Sequence, residues 1–135
     1  MNRPIKFRVY SKRLKVYIDY YTIGFSKSGE LQYLSDKHGA GPVFAGDYIV
    51  EQYTGLKDRD GKEIYEGDII EEDIEVGDDD IDGEYRYQVV WDEETLCWSL
   101  SPNYSAIHKD QWETNLSREV IGNIHENKEL LDGSN

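Results

Sequence analysis

The sequence has little of several residue types, and each shortage limits what the protein can be. One cysteine, Cys97, stands among 135 residues, so an internal disulfide is excluded. No hydrophobic run approaches the roughly 18 apolar residues that a membrane-spanning helix needs. The first residues, "MNRPIKFRVYSKRLK", are charged throughout and contain no apolar signal core. We therefore expect a cytoplasmic protein that is neither exported nor inserted in a membrane.

The sequence also lacks the residue spacings that mark catalytic and metal-binding sites. His38, His108 and His125 are scattered, and no paired cysteine or His-Glu spacing would bring ligands onto one face. Cys97 has no neighbouring residue that would activate its thiol. We expect no catalytic residue, no bound metal and no cofactor, and a non-catalytic protein is favoured over an enzyme.

Residues 58–68, "DRDGKEIYEGD", resemble a calcium-binding loop in composition only. If Gly61 takes the sixth position of such a loop, Leu56 falls at the first position and Gly67 at the twelfth, where carboxylate ligands are required. The same residues suit a hairpin turn, because Asp accepts hydrogen bonds from nearby amides and Gly61 can take a positive φ. The sequence therefore predicts a structural hairpin, followed by a second turn at 66–68.

Alternating apolar and polar residues predict strands along most of the chain. One short helix is predicted at 105–115, with Ser105 as its N-cap, and Gly122 is expected at a bulge or a close approach. The prediction is a single mainly β domain over residues 1–135, a small antiparallel barrel or sandwich of about six to eight short strands. Strand segments are predicted in the runs 4–10, 15–25, 31–34, 48–54, from residue 69 onward into the acidic run, 84–92, 95–101 and 120–124, with a further hairpin turn at "DEET", 92–95.

Charge is distributed unevenly along the chain, whose formal net charge is −13. Residues 1–65 contain 11 Lys or Arg and 8 Asp or Glu, whereas residues 66–135 contain 4 and 20. Residues 66–84 contain 11 acids and no base, and their tip at 77–83, "GDDDIDG", is predicted to be a mobile acidic loop. We expect this region to bind a basic protein through Glu71, Glu72, Asp73, Asp78, Asp79, Asp80 and Asp82.

The basic N-terminal hairpin suggests an alternative function, the binding of single-stranded nucleic acid. Small β-barrels bind single strands by stacking bases on exposed aromatic rings beside basic side chains. The overall negative charge opposes the approach of a phosphate backbone, so nucleic acid is the less favoured partner. The contact residues in this alternative are Lys6, Arg8, Tyr17, Tyr20 and Tyr21.

Three stretches together resemble the YopX protein family: "RPIKFRVY" at 3–10, "YTGLKDRDGKEIYEGDII" at 53–70 and "EVIGNIHENKELL" at 119–131. They occur in the family's order and cover both ends and the middle of the chain. The acidic insertion "GDDDIDG" departs from the family pattern, as do Tyr10, where tryptophan is common, and Lys128, where proline is usual. The resemblance implies a mostly β fold, a phage or prophage origin and a bacterial host cytoplasm, and it assigns no catalytic residue.

Overall fold

The computed structural model describes residues 4–37, 39–43, 46–74, 83–101, 105–106 and 118–131. These ranges form twelve β-strands and one 3₁₀ turn, Lys128–Leu130. The chain divides into two compact units, which we call the N-terminal unit (Lys6–Gln52) and the C-terminal unit (Met1–Ile5 with Tyr53–Asn135). All strand pairing within the described ranges is antiparallel, and the predicted mainly β antiparallel class is confirmed.

The N-terminal unit consists of a β-ribbon and a three-stranded sheet. The ribbon places β1 between β2 and the first half of β6, so Val9 pairs with Ile18 on one side and with Val50 on the other. Because β1 is the central strand, Val9 and Tyr10 are both buried. The three-stranded sheet has the order β3-β4-β5. The strands are β1 (Phe7–Ser11), β2 (Val16–Ile18), β3 (Thr22–Phe25), β4 (Leu31–Asp36), β5 (Gly39–Pro42) and β6 (Tyr48–Lys57).

The strand predicted at 15–25 is two strands in the structure. Strand β2 ends at Ile18, and the chain then changes partner, because the Tyr21 amide donates to the Ser35 carbonyl oxygen and β3 pairs with β4. Strand β5 is also additional to the prediction, since its sequence, Gly39–Pro42, has no alternating pattern. Such short strands raise the number of strands in the described ranges to twelve, above the expected six to eight. These short strands are defined by backbone hydrogen bonds to a neighbouring strand and not by an alternation of apolar and polar side chains.

The C-terminal unit contains the second half of β6 and all the later strands. Its main sheet has the order β11-β10-β9-β8-β12, and β7 pairs with β6. One face of this sheet carries the core, in which Leu56 and Ile64 from the β6–β7 hairpin pack with residues such as Val89. The strands are β7 (Glu63–Tyr65), β8 (Asp68–Ile74), β9 (Gly83–Asp92), β10 (Cys97–Ser101), β11 (Ser105–Ala106) and β12 (Arg118–Asn123).

The predicted turns and the predicted bulge are confirmed. The Gly61 amide donates to the Asp58 carbonyl oxygen, and Gly61 and Gly67 have φ values of 83° and 87° at the two turns. The β9–β10 turn occupies 93–96, one residue beyond its predicted position. The register of β12 against β8 shifts between Val120 and Gly122.

The helix predicted at 105–115 is wrong at its first residue. Ser105 and Ala106 form β11 and pair with Leu100 and Ser99 of β10, so Ala106, which would be the first residue of a helix capped by Ser105, is extended and not helical. A neighbouring strand with unpaired amides overrides the weak local preference of a capping residue. Residues 107–117 lie outside the described ranges, as does almost all of the predicted acidic loop at 77–83.

Candidate functional site

Two of the predicted docking carboxylates form ion pairs with arginines of their own sheet. Glu71 of β8 lies opposite Arg86 of β9, and the Arg86 Nε donates to the Glu71 carboxylate at 3.0 Å. Glu72 lies opposite Arg118 of β12, whose Nε donates to the Glu72 carboxylate. All four side chains are partly buried. The arginines therefore neutralise Glu71 and Glu72 across the strands. The first role of these two glutamates is to stabilise the sheet.

The remaining predicted docking residues contribute no described side chain. Asp73 is a residue of β8 paired with Glu84, and the side chains of both lie outside the described part of the structure. Asp78, Asp79, Asp80 and Asp82 fall in 75–82, which is likewise outside it. Their role in docking stays a prediction.

Even with these ion pairs, the C-terminal unit has a large excess of acid. The N-terminal unit contains seven Lys or Arg and five Asp or Glu, and the C-terminal unit contains 8 and 23. Three of those eight bases, Arg59, Arg86 and Arg118, already form ion pairs within the unit. The acids of this unit therefore outnumber its bases by 15, the difference between 23 and 8.

Asp58 connects the β6–β7 turn to β12, a role that the sequence analysis missed. Its Oδ1 accepts hydrogen bonds from the amides of Asp60 and Lys62, both at 2.9 Å. Its Oδ2 accepts a third, buried hydrogen bond from the Val120 amide, also at 2.9 Å. The Asp-x-Asp-Gly turn signal predicts the first two bonds, but no local pattern reveals the third. The hairpin is thus a scaffold, as expected, and it is fixed to a strand 62 residues further along the chain.

Exposed apolar side chains lie at the end of the β9–β10 hairpin. We call Trp91, Leu96 and Trp98, together with the acidic turn residues 92–94, the β9–β10 tip. The rings of Trp91 and Trp98 meet edge to face with centroids 5.1 Å apart, and Trp98 packs against the core. Trp91 is 43% exposed and Leu96 is 71% exposed. The sequence analysis placed the turn here but missed the surface that it presents.

Leu96 has a left-handed backbone, with φ of 55°. For an L-amino acid this conformation costs on the order of 1 kcal/mol relative to the right-handed one, and hairpin turns of this kind usually place glycine there. The β1–β2 turn has the same feature at Lys15, with φ of 59°. A leucine in this position of a short hairpin turn is the sequence signal that could have identified the tip.

The acidic residues of the tip form no ion pair in the described part of the chain. Asp92 Oδ1 accepts a hydrogen bond from the Glu94 amide at 2.9 Å. This bond, followed by one from the Thr95 side chain, holds the pKa of Asp92 below its usual value, so the group remains ionised. Glu93 and Glu94 are exposed. The tip thus combines two exposed apolar side chains, Trp91 and Leu96, with three acids that are consecutive in sequence.

The nucleic-acid contact set is mostly engaged in internal interactions. Arg8 Nε donates to Glu51 Oε1 at 2.8 Å, and the Tyr17 hydroxyl donates to the same oxygen at 2.7 Å. The Arg8 guanidinium also lies over the Tyr17 ring, 4.6 Å from its centroid. The Tyr20 hydroxyl donates to a backbone carbonyl oxygen of β1. Tyr21, by contrast, is 75% exposed.

A different basic group is exposed on the N-terminal unit. Lys12, Arg13 and Lys15 lie in the β1–β2 turn, are exposed, and form no ion pair with any described residue. Lys6 is also exposed and has an interaction partner. The cationic surface of this unit therefore centres on the turn and not on the predicted β1 face.

A pocket of about 330 Å³ lies in the same unit, among β2, β4, β5 and β6. Ile18, Tyr20 and Tyr48 supply much of its apolar lining, and Asp36 supplies a carboxyl group that has an interaction partner. The volume is at the lower limit for small-molecule sites. The sequence analysis did not predict this pocket, because its walls come from strands that the pattern did not resolve.

No group of three His, Cys, Asp or Glu residues within the described ranges is arranged to hold a metal ion. Cys97 is a free thiol whose sulfur lies 3.1 Å from Thr95 Oγ1. Over the same ranges, the structure contains no helix long and apolar enough to cross a membrane.

Comparisons with known proteins identify the family. The model of the YopX protein family matches residues 6–132. The chain belongs to the YopX protein family. This confirms the resemblance inferred from the three sequence stretches, and the match extends across the acidic segment that departs from the family pattern.

The fold of this chain is similar to that of a solved structure. The crystal structure of protein EF1440 from Enterococcus faecalis aligns with a TM-score of 0.69 and 23% identity, over 96% of this chain and 99% of that chain. At this identity the likeness establishes the fold alone. No curated protein matches the sequence.

Proposed function

We propose that this YopX-family chain is a non-catalytic protein-binding module that docks on a basic protein through its C-terminal unit. The observation that carries the proposal is the charge of that unit, where 23 acids accompany eight bases. Complementary charge accelerates association and sets the orientation of a complex, while like charge rejects wrong partners. An acidic unit of this kind fits a partner with a cationic surface, and we propose that the partner is a host or phage protein in the bacterial cytoplasm.

The internal ion pairs narrow the choice of docking carboxylates. Glu71 and Glu72 already bind arginines across the sheet, so releasing them would break the ion pairs of Arg86 and Arg118. The unpaired negative charge must therefore come from the other acids of the unit. We propose Asp73 and the four aspartates at 78, 79, 80 and 82 as docking groups.

The test is to immobilise the protein and capture binding proteins from host lysate at low and at high salt. The captured partner is then purified, and its binding to the protein is measured. We expect retention at low salt and loss at high salt, because screening shortens the range of charge interactions from about 10 Å at 0.1 M to about 3 Å at 1 M salt. Replacing the four aspartates by asparagine should weaken the purified complex about tenfold, chiefly through slower association. The matched control replaces Glu30 and Asp47, two exposed acids of the N-terminal unit. Retention that is independent of salt, or equal losses for both variants, would contradict the proposal.

A second candidate function is single-stranded nucleic-acid binding by the N-terminal unit. The observation in its favour is the exposed basic turn at Lys12, Arg13 and Lys15, with the exposed Tyr21 in the same unit. The predicted residues Arg8 and Tyr17 are less suitable, because Glu51 already binds both. We rank this candidate second, since the protein as a whole repels phosphate.

A gel-shift titration with single-stranded DNA and RNA at low salt tests this second candidate. Binding should be lost in a Lys12→Glu/Arg13→Glu variant and retained in a Lys27→Glu variant, which changes an exposed base of another turn. If the chain shifts neither nucleic acid at low salt, where phosphate contacts are strongest, this candidate is excluded.

A further inference from the structure

The β9–β10 tip has an apolar surface that makes little contribution to folding. Leu96 is 71% exposed and Trp91 is 43% exposed, although the core of the same unit buries other residues of β9 and β10 completely or nearly so. Leu96 also has the left-handed backbone that glycine would adopt without strain. Exposure and backbone conformation are therefore both unfavourable for a leucine at this position. Exposed apolar residues at strained backbone positions are typical of contact surfaces.

Trp91 is suited to anchor a partner. Its ring contacts Trp98 edge to face at 5.1 Å, and Trp98 is held by the core, so the exposed ring has a defined position before any partner arrives. A preorganised aromatic side chain loses little conformational freedom on binding. Tryptophan is also among the residues that most often dominate the energy of protein interfaces.

The charges beside this patch indicate the chemistry of the partner. Asp92, Glu93 and Glu94 follow Trp91 directly, and none forms an ion pair with a described Lys or Arg. A basic side chain bound at the end of this hairpin would meet the exposed turn residues Glu93 and Glu94 and the exposed ring of Trp91, whereas Asp92 follows Trp91 in β9 and points to the opposite face of the strand. An arginine can interact with both the exposed turn acids and the ring, through charge and through a cation–π contact. Two copies of the tip would instead bring like charges together, which disfavours self-association through it.

We propose that the β9–β10 tip is the docking contact for a cationic, amphipathic polypeptide segment. An apolar side chain of the segment packs on Trp91 and Leu96, and its basic side chains face the acidic turn at 92–94. This inference rests on the proposed function, because it adds a second contact for the same cationic partner, at the end of β9 (Gly83–Asp92) that is remote from the proposed aspartates at 73 and 78–82.

The test uses synthetic peptides as probes with the full chain. The first peptide alternates arginine and leucine; in the second, serine replaces leucine; and in the third, glutamate replaces arginine. Tryptophan fluorescence gives the affinity, and amide chemical shifts in NMR give the location. We expect the first peptide to bind more tightly than the second, the third not to bind, and the largest shifts to lie within 91–98.

Leu96→Gly is the decisive variant. It should weaken binding of the first peptide about tenfold while raising the melting temperature, because glycine removes the backbone strain. The matched control is Leu14→Gly, which removes a leucine that is 61% exposed in the β1–β2 turn, and it should leave the affinity unchanged. Glu93→Gln/Glu94→Gln should also weaken binding and reduce its dependence on salt.

The outcomes separate this inference from the proposed function. If the arginine peptide binds but Leu96→Gly has no effect, or the shifts map away from 91–98, the tip is not the contact and the proposed function stands. If no cationic peptide binds in a salt-sensitive way, both are contradicted. If sedimentation shows a dimer that Leu96→Gly abolishes, the tip is a contact between two copies of the chain and the proposal is overturned.

Discussion

Replacement of Asp58 by alanine tests the claim that one carboxylate fixes the central hairpin to β12. The substitution removes three hydrogen bonds, from the amides of Asp60, Lys62 and Val120. The first two donors belong to an exposed turn, where water replaces the lost acceptor at a cost of about 0.5–1 kcal/mol each. The Val120 amide is buried and would lose a charged acceptor, which costs about 2–3 kcal/mol.

The expected loss is therefore about 3–5 kcal/mol, a large part of the 5–15 kcal/mol that stabilises a typical domain. The measurement is urea unfolding followed by tryptophan fluorescence, with hydrogen exchange of the Val120 amide as a local probe. Asp60→Ala is the matched control. The Asp60 side chain is 66% exposed and its ion pair with Arg59 is long, at 3.9 Å, so this substitution should cost less than about 0.5 kcal/mol. A loss below about 1 kcal/mol for Asp58→Ala, or unchanged exchange at Val120, would refute the reasoning.

Two further predictions concern close packing and pH. An added Cβ at Gly122 would lie 2.6 Å from the Asn127 Oδ1, so Gly122→Ala should destabilise by about 1–3 kcal/mol in urea unfolding, whereas Gly41→Ala, with no atom within 4 Å, should be nearly neutral. A neutral Gly122→Ala would show that Asn127 moves freely. In an NMR titration the pKa of Asp92 should lie below about 3.9, and Thr95→Val should raise it. Because the folded pKa is depressed, this stabilisation is present above about pH 4 and is lost as pH falls through the folded pKa; an unshifted Asp92 would contradict the turn geometry.

The ion pairs of β8 show why local charge alone is a poor guide to a docking site. Glu71 and Glu72 belong to the most acidic run of the sequence, yet each lies opposite an arginine that is distant in the chain. An antiparallel neighbour brings such residues within about 5 Å of each other, and opposite charges there stabilise the sheet. The tip at 91–98 contains fewer acids than the run that includes β8. No basic residue lies opposite it in the described part of the sheet.

The sequence by itself determined the fold class and the positions of the main turns. Alternation with period two follows from the geometry of a single strand, so the long strands could be predicted without any knowledge of their neighbours. The same holds for the turns at Asp58–Gly61 and Glu66–Asp68, where the requirement for positive φ selects glycine locally. Membership of the YopX family was visible for a similar reason, since its stretches are contiguous in sequence.

Only the tertiary structure decided which residues meet across strands. The change of partner between β2 and β3, the bond from the Val120 amide to Asp58, and the arginines opposite Glu71 and Glu72 all join positions separated by many residues. Pairing register fixes these contacts, and register depends on the packing of the whole sheet rather than on any local pattern. The 71% exposure of Leu96 also required the structure, because it depends on which side chains of other strands lie near the turn.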